Sequence, residues 1–90
     1  AWIKQIAAKT GDQVCVEHGH VFINGRNAAA ILNNDTQGRK LMHTTICRTL
    51  TETEFYILGR SDHSYDSRYF GPVPASSIVS KLRPVFSFFD

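Results

Sequence analysis

The sequence lacks the long apolar run of a membrane helix: no stretch approaches the ~20 consecutive apolar residues that cross a bilayer. No signal peptide opens the chain either. It also lacks a strong excess of charge. Ten Lys and Arg stand against eight Asp and Glu, for a formal net charge of +2. The basic residues are scattered, which argues against nucleic acid as a partner. Cysteine is scarce. Cys15 and Cys47 are too far apart for a CxxC zinc or redox pair. Both sit among apolar residues, and they form either one disulfide or two buried thiols. Repeats, linkers and low-complexity tracts are absent. What is there is an ordinary globular composition, 42% hydrophobic and 20% charged, with six Phe, three Tyr and one Trp to fill a small core. Ninety residues leave room for one small domain, 1–90. The opening, AWIKQIAAKTGDQV, reads as though it began in the middle of a domain, so a longer protein is expected.

Short alternating segments dominate. QVCVE places Val14 and Val16 on one face and Cys15 on the other, and HVFI places Val21 and Ile23 together. EHGH between them is a tight reversal, and Asn24-Gly25 is a strong turn signal. Residues 13–24 are therefore expected to form a β-hairpin, with the chain turning back after Gly25. NAAAIL fits a short helix or a strand. NNDTQG is a loop by composition. KLMHTTICRTL is β-branched enough for a strand, and ETEFYILG is a clear strand ending at Gly59. VSKLRPVFSF is a last strand interrupted at Pro84, which points to a sheet edge or a bulge. The expected fold is all-β, built of short twisted strands and hairpins with at most one short helical turn.

The stretch GRSDHSYDSRYFGPVP, residues 59–74, holds more polar chemistry than a plain loop needs. Asp66 and Arg68 stand close enough to pair across a turn and fix its shape, bracing the loop without doing chemistry themselves. Ser64 either caps a turn or meets a neighbouring ammonium. Lys4, in AWIKQIAA, is the candidate ammonium. On a strand it points either to solvent or inward, and an inward lysine is disfavoured in its charged form, which suits a general base. His18 and His20 read as a polar turn, because no Cys or Asp at ligand spacing accompanies them; no metal and no cofactor are expected. His63 lies near Asp62 and Asp66, but Ser-His-Asp triads are assembled from distant parts of a chain, so local crowding is a poor signal.

Taken together, these residues resemble the type I signal peptidases, the serine-lysine peptidases. Ser64, Asp66, Ser67, Arg68, Phe70, Gly71 and Val73 match that family's last sequence box, which begins at a glycine, here Gly59. Lys4, Gly11, Asp12 and Val14 match its lysine box. The two boxes come in the right order and bracket the chain from Ile3 to about Val85. The compact middle looks more like the TraF-like branch, which processes conjugative pilin subunits, than the large housekeeping enzymes. The resemblance implies a coiled antiparallel β-sheet or partly open barrel with a shallow groove. Lys4 would be the general base, Ser64 its orienter, and Asp66 an orienting or bracing group. Arg68, Gly59, Gly71, Gly11 and Asp12 would be structural. It also implies a membrane-associated serine endopeptidase on the periplasmic face of the bacterial inner membrane, held there by an N-terminal segment. Its substrate would be an exported protein or pilin precursor, bound as an extended strand.

The chain departs from the family pattern in places. The family nucleophile is a serine in a Ser-Met-x-Pro-like box some tens of residues before the lysine. Here only Ala1, Trp2 and Ile3 precede Lys4, and the single methionine is Met42. The nucleophile is not in this chain, so these residues alone are expected to be inactive and to be the C-terminal part of a catalytic domain. Gly59-Arg60-Ser61 replaces the usual Gly-Asp-Asn, the box is one residue shorter, and Gln5 stands where an arginine is common. The alternative is a non-catalytic structural or assembly component of a conjugation or secretion system with the same fold. A small β-barrel binding module of unrelated origin is a third reading. A homodimer formed by strand pairing or swapping is a further expectation.

Overall fold

The computed structural model describes residues 3–76 and 85–88. Two dipeptides set the first half of the fold. His18 (φ 52°) and Gly19 (φ 75°) reverse the chain between β2 (Gln13–Glu17) and β3 (His20–Ile23). Asn24 (φ 51°) and Gly25 (φ 83°) do the same between β3 and β4 (Arg26–Ala30). Two consecutive residues of positive φ are what a two-residue hairpin turn demands, and Gly, with no Cβ, tolerates that region best. The expected hairpin forms with Val14 opposite Ile23 and Val16 opposite Val21. The Ala run of β4, which fitted helix or strand equally, is a strand paired antiparallel to β3.

β5 is shorter than the sequence suggests. Only Cys47–Thr49 pairs, antiparallel to β2, while residues 41–46 run without regular structure. β-branched content alone does not make a ladder; an adjacent edge must be free along the same length. The β2–β5 register sets Cys15 opposite Cys47, and the two form a disulfide. These four strands make one sheet in the order β4-β3-β2-β5.

The second sheet carries the site. β1 (Ile3–Ala8) pairs antiparallel with β6 (Glu54–Gly59), β6 pairs with the short β7 (Val73–Pro74), and β8 (Val85–Phe88) lies on the other side of β1. The described order is β7-β6-β1-β8, so the last strand sits at an edge, as expected; Pro84 itself lies outside the described residues. One expectation needs correction. The β1–β8 pair is parallel, so the sheet is mixed rather than wholly antiparallel. β8 reaches β1 past β6 and β7, and a crossover of that kind permits parallel alignment. The fold is all-β with short hairpins, and the sheets do not close into a barrel among the described residues.

Between the sheets lies an apolar core. Val14, Val21, Leu50, Tyr56, Leu58 and Ala8 are almost wholly buried, and Ala7, Ile31 and Tyr69 complete the cluster. Tyr56, Ile57 and Leu58 of β6 are buried in succession, which marks a strand covered on both faces. Burying a Leu or Ile side chain fully is worth about 1.5–3 kcal/mol, so β6 is a firm platform for whatever follows Gly59. One helical turn, α1 (Ser67–Phe70), lies in the stretch 59–74, and the chain is helical again at 75 and 76.

Candidate active site

Lys4 lies directly opposite Gly59 in the β1–β6 register. The lysine points inward and is only 9% exposed. Its Nζ donates a hydrogen bond of 2.9 Å to the Tyr65 carbonyl. The glycine opposite is there for space. A Cβ built on Gly59 would collide with the Ser64 side chain and stand 3.3 Å from Lys4 Nζ. The Ser64 hydroxyl and the Lys4 amine thus border the same small volume, which any larger residue at position 59 would fill.

The turn bearing Ser64 is tied to β6 by side chains where a strand partner is missing. Among the described residues β7 pairs with β6 only at Glu54 and Phe55. Further along, the Ile57 N–H donates to Ser67 Oγ (2.9 Å) and the Gly59 N–H to Asp66 Oδ2 (2.7 Å). A buried backbone N–H left alone costs about as much as a lost hydrogen bond, and the two side chains remove that cost. Asp66 also caps α1, accepting from the Arg68 N–H at 3.1 Å.

Arg68 is 1% exposed and every arm of its guanidinium is used. Nε donates to Asp66 Oδ1 (2.8 Å) and Nη2 to Asp66 Oδ2 (2.7 Å), the two-pronged pairing that suits arginine and carboxylate. Nη1 donates to the Ala30 carbonyl (2.9 Å) and Nη2 also to the Ser61 carbonyl (2.9 Å). Burial works against the guanidinium's charge. The hydrogen bonds and charge of Asp66 overcome it and hold the Arg68 pKa above its ordinary value. Beneath the pair, burial and then the Asp66 charge push the Tyr56 phenol well above the usual tyrosine range. At the far end of α1, Gly71 (φ 86°) donates its N–H to the Ser67 carbonyl (2.8 Å) and packs by Thr44.

Gly11 and Asp12 lie away from the amine, in the turn after β1. Gly11 (φ 90°) donates to the Leu50 carbonyl. Asp12 accepts from Asn24 Nδ2 (3.0 Å) and the Lys9 N–H (2.9 Å), and Asn24 in turn accepts from the Gln13 N–H. The Asn24 hydrogen bond, the largest influence, together with the Lys9 hydrogen bond and charge holds the Asp12 carboxyl below its usual range against the opposing effect of burial. This knot joins the β1–β2 turn to the β3–β4 turn.

The structure brings together Lys4, Ser64, Gly59, Asp66 and Arg68. It does not assemble the local Ser-His-Asp group. His63 is exposed, its N–H bonds Ser61 Oγ, and both Asp66 oxygens are committed to Arg68 and Gly59. His18 and His20 flank the β2–β3 turn. The sequence reading missed Tyr65, whose contribution is a carbonyl and so leaves no mark in residue type. It also missed the acceptor role of Ser67, for which a hydroxyl beside the Asp-Arg pair was the available sign.

Lys4 and Ser64 thus border one small volume, beside a turn that the Asp66–Arg68 pair braces. The chain belongs to the signal peptidase family, peptidase S26, whose family model matches residues 1–87. Its relatives include the conjugal transfer protein TraF of Agrobacterium tumefaciens (strain 15955), 38% identical over 88 residues covering 96% of this chain and 49% of that protein. The plasmid transfer protein TraF of Escherichia coli is 35% identical over 89 residues, covering 94% of this chain and 50% of that protein. TraF of Agrobacterium fabrum (strain C58 / ATCC 33970) is 34% identical, with 96% and 49% covered. These matches agree with the TraF-like branch. The chain spans about half the length of the curated relatives it matches. No helix among the described residues is long and apolar enough to cross a membrane.

Proposed function

We propose that this chain is the C-terminal part of the catalytic domain of a serine endopeptidase, with Lys4 as general base. The nucleophilic serine comes from residues upstream of Lys4. In the reaction, the Lys4 amine takes the proton of that serine as its oxygen attacks the scissile carbonyl carbon. The amine then returns the proton to the departing peptide nitrogen as the C–N bond breaks. Ser64 orients the amine, the Tyr65 carbonyl holds it from a second side, and Asp66 with Arg68 keeps the turn in place. The substrate is the extended cleavage segment of an exported protein such as a pilin subunit, cut at the periplasmic face of the inner membrane. The Cys15–Cys47 disulfide suits that oxidising side.

The observation that carries this reading is the volume at Gly59, bordered by the Lys4 amine and the Ser64 hydroxyl. The test is Lys4→Ala in the full-length protein, assayed on a pilin or signal-peptide precursor. Cleavage is expected to fall to background while circular dichroism stays that of the wild type. Undiminished cleavage overturns the role. A second reading, a non-catalytic assembly component, is favoured by the relatives' names, which speak of transfer rather than of peptidase activity. It predicts that Lys4→Ala leaves plasmid transfer intact.

A further inference from the structure

We infer that the Cys15–Cys47 disulfide is a redox-sensitive tether. A partner protein carrying a reactive dithiol opens it by attack at Cys47, and opening frees residues 41–47 from the turn that bears Ser64. The tether goes beyond the peptidase reading above; only its effect on cleavage rests on that reading.

Four observations support it. The first is access. Cys47 lies on β5, whose residues are all exposed, while Cys15 on β2 is half-buried. Exposed disulfides are more readily reduced than buried structural ones, and access decides which sulfur a thiolate attacks. The second is how little else holds the strand. β5 is the outer strand of its sheet among the described residues, and its exposed residues bury little apolar surface. β2 is paired with β3 on its other side and does not depend on β5. Third, the opening has a built-in stop. Arg48 donates to both Glu54 carboxylate oxygens (2.8 and 2.9 Å), and Leu50, buried in the core, donates its N–H to the Asp12 carbonyl at 2.9 Å. Release therefore ends at Cys47 and does not spread to the core. Fourth, the freed stretch touches the site. The Thr44 N–H donates to the Arg68 carbonyl at 3.2 Å, and Leu41 lines a hollow of about 210 Å³ together with Ser64 and Tyr65.

In the exchange, one thiolate of the partner attacks Cys47 Sγ. A partner–Cys47 S–S bond forms as the Cys15–Cys47 bond breaks, and Cys15 leaves as a thiolate. The partner's second sulfur then attacks its first, and Cys47 leaves in turn. The partner dithiol gives up two electrons and ends as a disulfide; its two protons end on Cys15 and Cys47.

The test adds an excess of reduced thioredoxin to the full-length protein and follows hydrogen exchange at single amides. The Val16 and Thr44 N–H groups bond the Ile46 and Arg68 carbonyls. Both are expected to exchange about tenfold faster or more after reduction, while Leu50 and Ile57 keep their rates. Thioredoxin lacking its second cysteine is expected to be trapped on Cys47, as mass spectrometry would read. The doubly substituted Cys15→Ser, Cys47→Ser protein is expected to show the fast rates without thioredoxin and no response to it. If that variant does not fold, reduction of the wild type decides alone. A disulfide that the excess leaves intact overturns the tether. So do Val16 and Thr44 rates that stay within about twofold after reduction, or a rise at Leu50 that accompanies theirs. On a pilin or signal-peptide precursor, reduction is expected to raise KM about tenfold with kcat little changed, because the freed stretch borders the amine without bonding it. An unchanged KM beside faster Thr44 exchange sustains the tether and removes its control of cleavage. Absence of cleavage in the oxidised protein overturns the peptidase reading instead and leaves the exchange result standing.

Discussion

Two irregular stretches of this small protein, residues 59–71 and 31–46, handle their polar groups in opposite ways. The first buries Asp66, Ser67 and Arg68 and connects them to β6, to the Ala30 carbonyl and to its own turn. The second closes on itself. Asp35 bonds Gln37 and Arg39, Asn34 bridges Lys40, and Met42 stands 78% exposed. It leans on the first through the Leu32–Tyr69 and Thr44–Arg68 hydrogen bonds. The buried arrangement suits a place where an amine must sit within a fraction of an ångström of its partners. The exposed one suits a wall that borders the site without setting its geometry.

Substitutions should separate the two stretches. The largest effect is expected from Arg68→Ala, which strands the Asp66 carboxylate in the interior. Breaking a buried pair from one side costs about 3–5 kcal/mol, and thermal melting of this variant should show it. An unchanged melting temperature would deny the brace its role. A smaller effect is expected in alkali. A phenol whose pKa is raised in the folded state adds stability that is complete below its unfolded value of about 10 and is lost as pH rises beyond it. Wild type should therefore lose stability more steeply above pH ~10 than Tyr56→Phe in denaturant titrations. Equal slopes would mean that the Tyr56 phenol is not held neutral by its surroundings. The smallest effect is expected from Arg39→Ala. Its pair with Asp35 is solvent-exposed, and exposed pairs contribute little. A clear drop in melting temperature there would erase the contrast between the two stretches.

The hairpins were legible because His18-Gly19 and Asn24-Gly25 carry their turn geometry in residue type. Strand β6 was legible by its composition and its terminal glycine. The extent of β5 was not, because pairing at 41–46 depends on which edge is available rather than on β-branched residues. The Ala run at 28–30 has no period to read, and the strand assignment came from β3. The parallel β1–β8 pair is a matter of topology, which local pattern does not encode. For the candidate site, the Asp66–Arg68 pair followed from local spacing. The meeting of Lys4 with Ser64, 60 positions apart, was reachable only through the family resemblance. The Tyr65 carbonyl had no sequence signal at all.

The Lys4 amine lies buried against the Ser64–Tyr65 turn, and lysine footprinting reads that burial in solution. The native protein, briefly acetylated and digested, would be read by mass spectrometry at Lys4, Lys9 and Lys40. Lys4 is predicted to be protected in the folded state and labelled only on unfolding, while exposed Lys9 and Lys40 react at once. Labelling of Lys4 in the folded protein as fast as of Lys9 would put the amine in solvent and remove its place as general base.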